Sequence, residues 1–294
     1  MRIQNFRCLQ DVELTLGPLT ALVGANASGK STMLQALTLP SNVPRRSLEF
    51  ADGPALTNPR NEPLVQLRQQ QLEQQYRSLL LHLDLDRLRS GNKVQRATIL
   101  KSDGSNLANV FDTLTRKQQA LLAQELCRLV PVLADVDVGP MQGITGQHQL
   151  RFQDRWNPQA WYQPNEVSDG TILLTAYLTL AYAQQPPHLL AIEEPERGLH
   201  PFLLSELVEF LRGLATGQIG SQPIQIVLAT HSAELLDVLK PEEVRFLSRD
   251  PKDGSVRVET APVDAPGWEE AFQQYRESLG SAWLSGGLGG VPGA

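Results

Sequence analysis

Residues Gly24-Ala25-Asn26-Ala27-Ser28-Gly29-Lys30-Ser31 have the form G-x-x-x-x-G-K-S, and they constrain this chain more than any other stretch. An apolar run, Leu19 to Val23, precedes them, and a helix-compatible segment, Ser31 to Leu39, follows and is stopped by Pro40. That order of strand, glycine-rich loop and helix lets backbone N–H groups turn inward on phosphates. The glycines supply the backbone freedom, and the helix start adds its partial positive charge. Lys30 has the length to reach the terminal phosphates, and the Ser31 hydroxyl can hold a magnesium ion. A glycine-rich turn with a chance lysine would need neither flank.

A second stretch delivers carboxylates in the same way. Leu189 to Ile192 is an apolar strand that ends in Glu193-Glu194-Pro195-Glu196. In parallel α/β sheets the C-terminal edge of the strands is where ligands sit. There Glu193 is placed to hold magnesium through water, and Glu194 to polarise an attacking water as general base. Taken alone, the pair reads equally well as two surface acids after a core strand; the phosphate loop tips the balance. Leu228-Ala229-Thr230-His231-Ser232 repeats the geometry. His231 could hydrogen-bond a γ-phosphate or merely sit in a helix cap, but capping needs only Ser232 or Thr230. Val167-Ser168-Asp169-Gly170-Thr171 opens a further helix, and Ser168 with the N–H groups of Gly170 and Thr171 makes a second anion-binding helix start. One chain cannot easily aim two such starts at the same γ-phosphate, whereas two chains, head to tail about a twofold axis, can.

The rest of the chain reads as α/β. Residues 1 to 23 are strands, with Val12, Leu14 and Leu16 alternating with Glu13 and Thr15. Residues 40 to 62, rich in Pro, Asn and Arg, form a loop. Leu64, Leu67, Leu72 and Tyr76 make a rough helical stripe over Glu62 to Tyr76. Leu81, Leu83 and Leu85 alternate with His82, Asp84 and Asp86, the pattern of a half-exposed strand, and an outward strand face explains His82 and its two acids better than a metal site does. Helices are expected over Asn106 to Leu114 and Arg116 to Val130, and strands over Val132 to Val138 and Gln149 to Phe152. From Ser168 the order is helix to Ala183, strand Leu189 to Ile192, helix Pro201 to Leu214, strand Ile224 to Ala229, helix Ala233 to Leu239. Such alternation implies a largely parallel, covered sheet. A terminal hairpin, Val244 to Leu247 with Val256 to Glu259, precedes a helix from Trp268 to Leu279 carrying Trp268, Phe272 and Tyr275. In the glycine-rich tail after Gly280, Trp283 and Leu284 mark a part that docks.

Composition narrows the partners. The 294 residues carry a net charge of −6 and no long basic run, so general nucleic-acid affinity has no compositional support. A local basic patch made by folding or dimerisation stays open. Cys8 and Cys127 are far apart and lack metal spacing, as expected of reduced thiols in a cytosolic protein. The start, Met1-Arg2-Ile3-Gln4-Asn5, lacks the apolar core of a signal peptide. No uninterrupted apolar run could span a bilayer, so a cytoplasmic protein with no membrane partner is expected.

Together these motifs resemble an ABC-type ATPase head of the RecF/SMC kind, most of all the stand-alone RecF-like ATPases that are similar to the ATPase half of OLD-family nucleases. Ile3 to Arg7 resembles their opening strand, and Gly24 to Ser31, with Asn26, their Walker A motif. Val167 to Gly170 matches the signature, with S-D-G where transporters carry S-G-G. Ile192 to Glu196, continuing Arg197-Gly198-Leu199-His200-Pro201, matches Walker B and the D-loop, and Thr230-His231-Ser232 matches the switch. Ser105-Asn106-Leu107 and Trp283 to Pro292 also look family-like. Three features depart from the wider pattern: Glu193 replaces the usual Asp of Walker B; no Q-loop glutamine can be assigned, Gln142 and Gln147 being two of many; and no long coiled coil separates Walker A from the signature.

The resemblance implies one ABC-type head over residues 1–294. It would combine a P-loop core sheet, largely parallel, with an N-terminal antiparallel part and a lateral subdomain inserted over about 40–160. It further implies Mg2+-dependent ATP hydrolysis at two sites of a nucleotide-sandwiched homodimer. Asn26, Ala27, Ser28, Gly29, Lys30, Ser31 and Thr32 would bind ATP, Ser31 and Glu193 the magnesium, and Glu194 would activate water while His231 senses the γ-phosphate. Ser168, Asp169 and Gly170 would act across the dimer, and Arg7 would approach phosphate. Two downstream roles compete: a switch acting on a separate, nuclease-like effector in genome maintenance or phage defence, and a RecF-like DNA clamp in repair. The acidic charge favours the first. The S-D-G signature and Glu-Pro-Glu disfavour a transporter subunit. The acids that can be grouped, Glu193, Glu194 and Glu196, lie by the ATP site, so nuclease chemistry is expected in a partner rather than in this chain.

Overall fold

The chain opens as antiparallel β structure. β1 (Arg2–Phe6) turns through Arg7-Cys8 into β2 (Leu9–Glu13), pairing Ile3 with Val12. β3 (Leu19–Val23), buried at every position, leads through the glycine loop into α1 (Lys30–Thr38). β4 (Leu64–Gln66) lies antiparallel to β1. There follow β5 (Ser78–Leu81), α2 (Leu85–Arg89), β6 (Asn92–Lys93), α3 (Leu107–Thr113), α4 (Arg116–Leu129), β7 (Leu133–Pro140), β8 (Gln147–Asp154), β9 (Trp161–Tyr162) and α5 (Asp169–Tyr182). The C-terminal part runs β10 (Leu189–Glu193), α6 (Phe202–Thr216), β11 (Gln225–Thr230), α7 (Ala233–Leu236), β12 (Val244–Arg249), β13 (Val256–Thr260), α8 (Trp268–Gln274) and α9 (Leu279–Leu284). The computed structural model describes residues 1–38, 64–66, 77–266 and 268–288.

Two compact units divide the chain, one of Met1–Leu80, Pro187–Glu196 and Gln225–Ala294, the other of Leu81–Pro186 and Arg197–Ile224. The first holds a six-stranded sheet in the order β13-β12-β3-β11-β10-β5 and the small sheet β2-β1-β4. β12, β3, β11 and β10 run parallel, and β13 returns antiparallel to β12. α1 has only nine residues, too short to be stable alone, so packing must hold it. Met33, Leu34, Ala36 and Leu37 are buried in one cluster with Ile3, Phe6, Leu22, Leu189, Val227 and Leu247. Burying a side chain of this size contributes about 1.5–3 kcal/mol, more than the propensity difference of any residue in the helix.

The second unit is built on α5. Its residues Gly170 to Ala181 are all buried, and α2, α3 and α4 pack against it. Three threonines in so apolar a helix would each bury a hydroxyl; Thr175 and Thr179 instead donate to the carbonyls of Thr171 and Thr175, both at 2.7 Å. A four-stranded antiparallel sheet of β6, β8, β7 and β9 completes this unit. No described helix, α5 included, is long and apolar enough to cross a membrane.

The pattern-based expectations hold for most elements and fail at four. Leu64–Gln66 is a strand rather than part of a helix over Glu62 to Tyr76: three residues gain a ladder against β1 that an exposed glutamine-rich helix would lack. The remainder of that stretch and the loop at 40–62 lie outside the described residues. The strand expected over Leu81 to Asp86 stops at Leu81. Asp84 caps α2, its Oδ1 accepting from the Arg87 amide at 2.9 Å, so the leucine alternation spans a strand end and a helix start. α7 ends at Leu236, short of Leu239. The helix expected from Trp268 to Leu279 breaks after Gln274, where Arg276 and Glu277 take φ of 56° and 58°. Trp268 and Phe272 still stack, with ring centroids 5.1 Å apart.

The tail does dock as far as it is described. Trp283 on α9 is buried, whereas Leu284 is 62% exposed. α9 packs on α7, and one oxygen of Asp237 accepts from both the Ser278 hydroxyl and the Gly280 amide at 2.8 Å. Residues 289–292 of the stretch read as family-like lie outside the described residues. Asn106, the centre of the other such stretch, is a structural tie. It is buried, accepts from the Lys101 amide (2.9 Å) and donates to the Ile99 carbonyl (3.0 Å).

Candidate functional site

The parallel register sets the site. Leu22 stands opposite Ala229 and Val23 opposite Thr230, while Glu193 also stands opposite Ala229. The C-terminal ends of β3, β10 and β11 are therefore level and adjacent. They release the glycine loop, the three glutamates and the Thr-His-Ser turn at one edge of the first unit's sheet.

The loop at Gly24–Ser31 is held by close packing. A Cβ at Gly24 would lie 2.4 Å from the Leu247 carbonyl oxygen, and one at Gly29, where φ is +105°, would lie 2.6 Å from a Val256 methyl. Both positions exclude side chains, so the loop is a bare-backbone cradle of the shape a phosphate group needs. Ala27 is also left-handed, with φ +64°. The Lys30 Nζ donates to the Gly24 and Ala25 carbonyls at 2.7 and 2.8 Å, which lays the lysine along the loop. Burial pushes the Lys30 ammonium below its usual pKa, opposed by the nearby Glu194, Glu196 and Glu193 carboxylates. Ser31 and Asn26 are exposed, Ser28 is buried, and Thr32 lies half-buried on the first turn of α1.

Glu194 sits directly after β10 in a left-handed conformation, φ +46°. For a non-glycine residue that costs about 1–3 kcal/mol and persists only where neighbours impose it. Its amide donates to the Ala229 carbonyl at 2.8 Å, tying the turn to β11. Its carboxylate Oε1 lies 3.1 Å from His231 Nδ1. The structure thus brings together Glu194 and His231, two residues that the motifs had paired only by role. Ser232 accepts from the Leu235 amide at 3.0 Å and caps α7, so His231 is free of the capping task.

Glu196 has a place that sequence reasoning did not give it. Its Oε1 accepts the Thr230 hydroxyl at 2.6 Å, and its Oε2 is buried with no hydrogen-bond partner among the described residues. Burial raises its carboxyl pKa, while the Thr230 bond pulls the other way. Arg7, in the β1–β2 turn at φ +51°, donates to Gln35 of α1 at 2.8 Å.

The signature residues belong to the second unit. Ser168 and Asp169 are exposed at the start of α5 and Gly170 is buried. The Ser168 hydroxyl caps the helix, accepting from the Thr171 amide at 3.2 Å. Arg89 donates to the Val167 carbonyl (3.0 Å) and to Asp169 (2.8 Å), bracing the helix start from 80 residues away. No local signal could have found that arginine. Gln142 and Gln147 fall in and beside the β7–β8 turn. Among the described residues no group of His, Cys, Asp or Glu side chains has the arrangement of a self-contained metal site.

Comparison with known proteins points to an ATPase domain. A family model described as "AAA ATPase domain" matches residues 1–106, and one described as "AAA domain, putative AbiEii toxin, Type IV TA system" matches residues 67–237, more than half of the chain. A curated OLD nuclease of Thermus scotoductus is 56% identical over 39 residues, which make up 13% of this chain and 7% of that protein. Among solved structures, the Smc head bound to the C-winged helix domain of ScpA superposes with a TM-score of 0.60. The match covers 88% of this chain and 95% of that one at 12% identity, a likeness of fold. With the phosphate loop and the acidic strand end in place on a fold like that of an Smc head, the chain is an ATPase, and it belongs to the family described as "AAA domain, putative AbiEii toxin, Type IV TA system".

Proposed function

We propose that this ATPase works as an ATP-sandwiched homodimer that switches a separate, nuclease-like effector in genome maintenance or phage defence. The convergence of Lys30, Glu194 and His231 at one sheet edge carries the reading. Asn26 to Thr32 bind the phosphates through loop amides and Lys30. Ser31 and Glu193 are the residues that would hold a magnesium ion, whose charge would neutralise the β- and γ-phosphate oxygens. Glu194 takes the proton of the attacking water at its carboxylate, and His231 orients that carboxylate and meets the γ-phosphate.

The exposed Ser168 helix start serves the phosphates held by the partner chain, with Asp169 and Gly170 beside it. The second unit supplies the lateral surface that the effector reads, within a single ABC-type head whose lateral insertion runs over about residues 40–160. The nuclease-like character of that effector is supported by the short OLD-nuclease match. A cytoplasmic location follows from the same reading.

The test separates binding from turnover. Lys30→Ala should lose most nucleotide affinity, whereas Glu194→Gln should bind ATP normally and lose ~10²–10⁴ in rate, the usual loss when a general base is removed. Glu194→Gln turning over at the wild-type rate would remove Glu194 from the chemistry. DNA cleavage by the purified chain with magnesium or manganese, retained in Lys30→Ala, would place the nuclease here instead of in a partner.

A further inference from the structure

The two loops that face each other at the sheet edge are joined twice, and the two joints differ in kind. Glu194 and His231 meet at 3.1 Å, but their side chains are 41% and 50% exposed. An exposed pair of this sort is weak and does not fix geometry by itself. Glu196 and Thr230 meet at 2.6 Å in the interior, where Thr230 is fully buried. A hydrogen bond in low dielectric is stronger, and expensive to break on one side only.

An ionised carboxylate can only accept, which sets the direction of that bond. The Thr230 hydroxyl accepts the Ser232 amide N–H at 2.9 Å, and its one hydrogen then goes to Glu196 Oε1. A single hydroxyl thus closes the turn around residue 231 and ties that turn to the end of β10. His231 stands at the tip of the closed turn. Glu194 stands two residues before Glu196, on the other side of the tie.

We propose that Glu196 and Thr230 are positioning residues for ATP hydrolysis, a buried clamp that holds His231 against Glu194. The proposal rests on the reading that Glu194 and His231 act together at the γ-phosphate. Glu196 touches neither substrate nor water in this role. It sets the separation between the two loops and so the alignment of the Glu194 carboxylate, which a displacement of an ångström would spoil.

The test uses steady-state ATP hydrolysis by the full chain, with thermal unfolding as a separate check of folding. Thr230→Val and Glu196→Ala should each lower kcat roughly tenfold to a hundredfold, the scale of a charge-assisted hydrogen bond, with the KM for ATP unchanged. Thr230→Ser keeps the hydroxyl and should retain most of the rate. The double variant Thr230→Val/Glu196→Met removes both partners and leaves no orphaned polar atom, which protects folding; its kcat should be no lower than that of the worse single variant. A wild-type kcat in the double variant, multiplicative losses, a KM effect without a kcat effect, or Thr230→Ser as damaging as Thr230→Val would each overturn the clamp. Glu194→Gln is measured alongside. If Glu194→Gln is inactive and the clamp variants are fully active, the clamp alone fails; if Glu194→Gln is active, the reading beneath it fails.

Discussion

At Gly24 the reason for a glycine is contact rather than conformation. A methyl group there would meet a backbone oxygen of β12 at 2.4 Å, and backbone cannot swing aside. At Gly143, in the β7–β8 turn, φ is +77° and nothing lies within 4 Å of a built Cβ. Two alanine substitutions should therefore behave differently. Gly143→Ala should cost about 1–2 kcal/mol for the left-handed backbone and leave ATP binding intact. Gly24→Ala should destabilise by a similar ~1–3 kcal/mol through overpacking and in addition displace the phosphate loop, weakening ATP binding. Calorimetry with nucleotide titration checks both; equal ATP affinity in the two variants would show that the loop yields freely at Gly24. Glu194 is the other residue whose backbone matters, because its left-handed φ aims the carboxylate back toward His231.

Elements here are held by a few well-placed side chains at their ends. Thr115 and Gln118 form a reciprocal capping box at the start of α4, Asp84 caps α2, and Asp237 latches α9 to α7. Asp154, at the end of β8, gathers the turn before β9: it accepts from the Tyr162 hydroxyl at 2.8 Å and from the amides of Asn157 (2.7 Å) and Trp156 (2.8 Å). The Tyr162 bond first, then the amide bonds, hold its carboxyl below the usual 3.8. A carboxyl depressed in the folded state adds stability above its unfolded pKa, and that stability is lost as pH falls through the folded value. Asp154→Asn should accordingly melt below the wild type at neutral pH. The gap between the two should close as pH falls below 3.8. Melting curves across that range, with a gap that stays constant into acid, would deny the carboxylate its role in the turn.

For the whole molecule the decisive question is stoichiometry. If each ATP site is completed by Ser168 of another chain, a variant that cannot hold phosphate and one that cannot reach across should rescue each other. Chains carrying Lys30→Ala and chains carrying Ser168→Arg should each fail to form an ATP-dependent dimer alone. Mixed, they should recover about one ATP per dimer, because one composite site then contains neither change. Mass measurement with and without ATP reads the outcome, and a mixture that stays monomeric would exclude the shared site.

Much of this molecule was legible without coordinates, for a physical reason. The phosphate loop, the strand carrying Glu193 and Glu194, and the strand ending at His231 are local patterns, each an apolar run followed by a fixed chemistry. A parallel sheet necessarily delivers such runs to one edge. Alternation likewise announced β2. Alternation misled at Leu81 to Asp86, where Asp84 turned the chain into a helix, and at Trp268 to Leu279, where two left-handed residues interrupt a continuous pattern. What tertiary structure alone decided are the long-range partners. Glu196 meets Thr230 across 34 residues, Arg89 meets Asp169 across 80, and a carbonyl of β12 closes over Gly24. Sequence determines the periodicity and chemistry of each segment, because those depend on neighbours a few residues away; which buried hydroxyl meets which buried carboxylate depends on the register between strands, and only the packed sheet sets that.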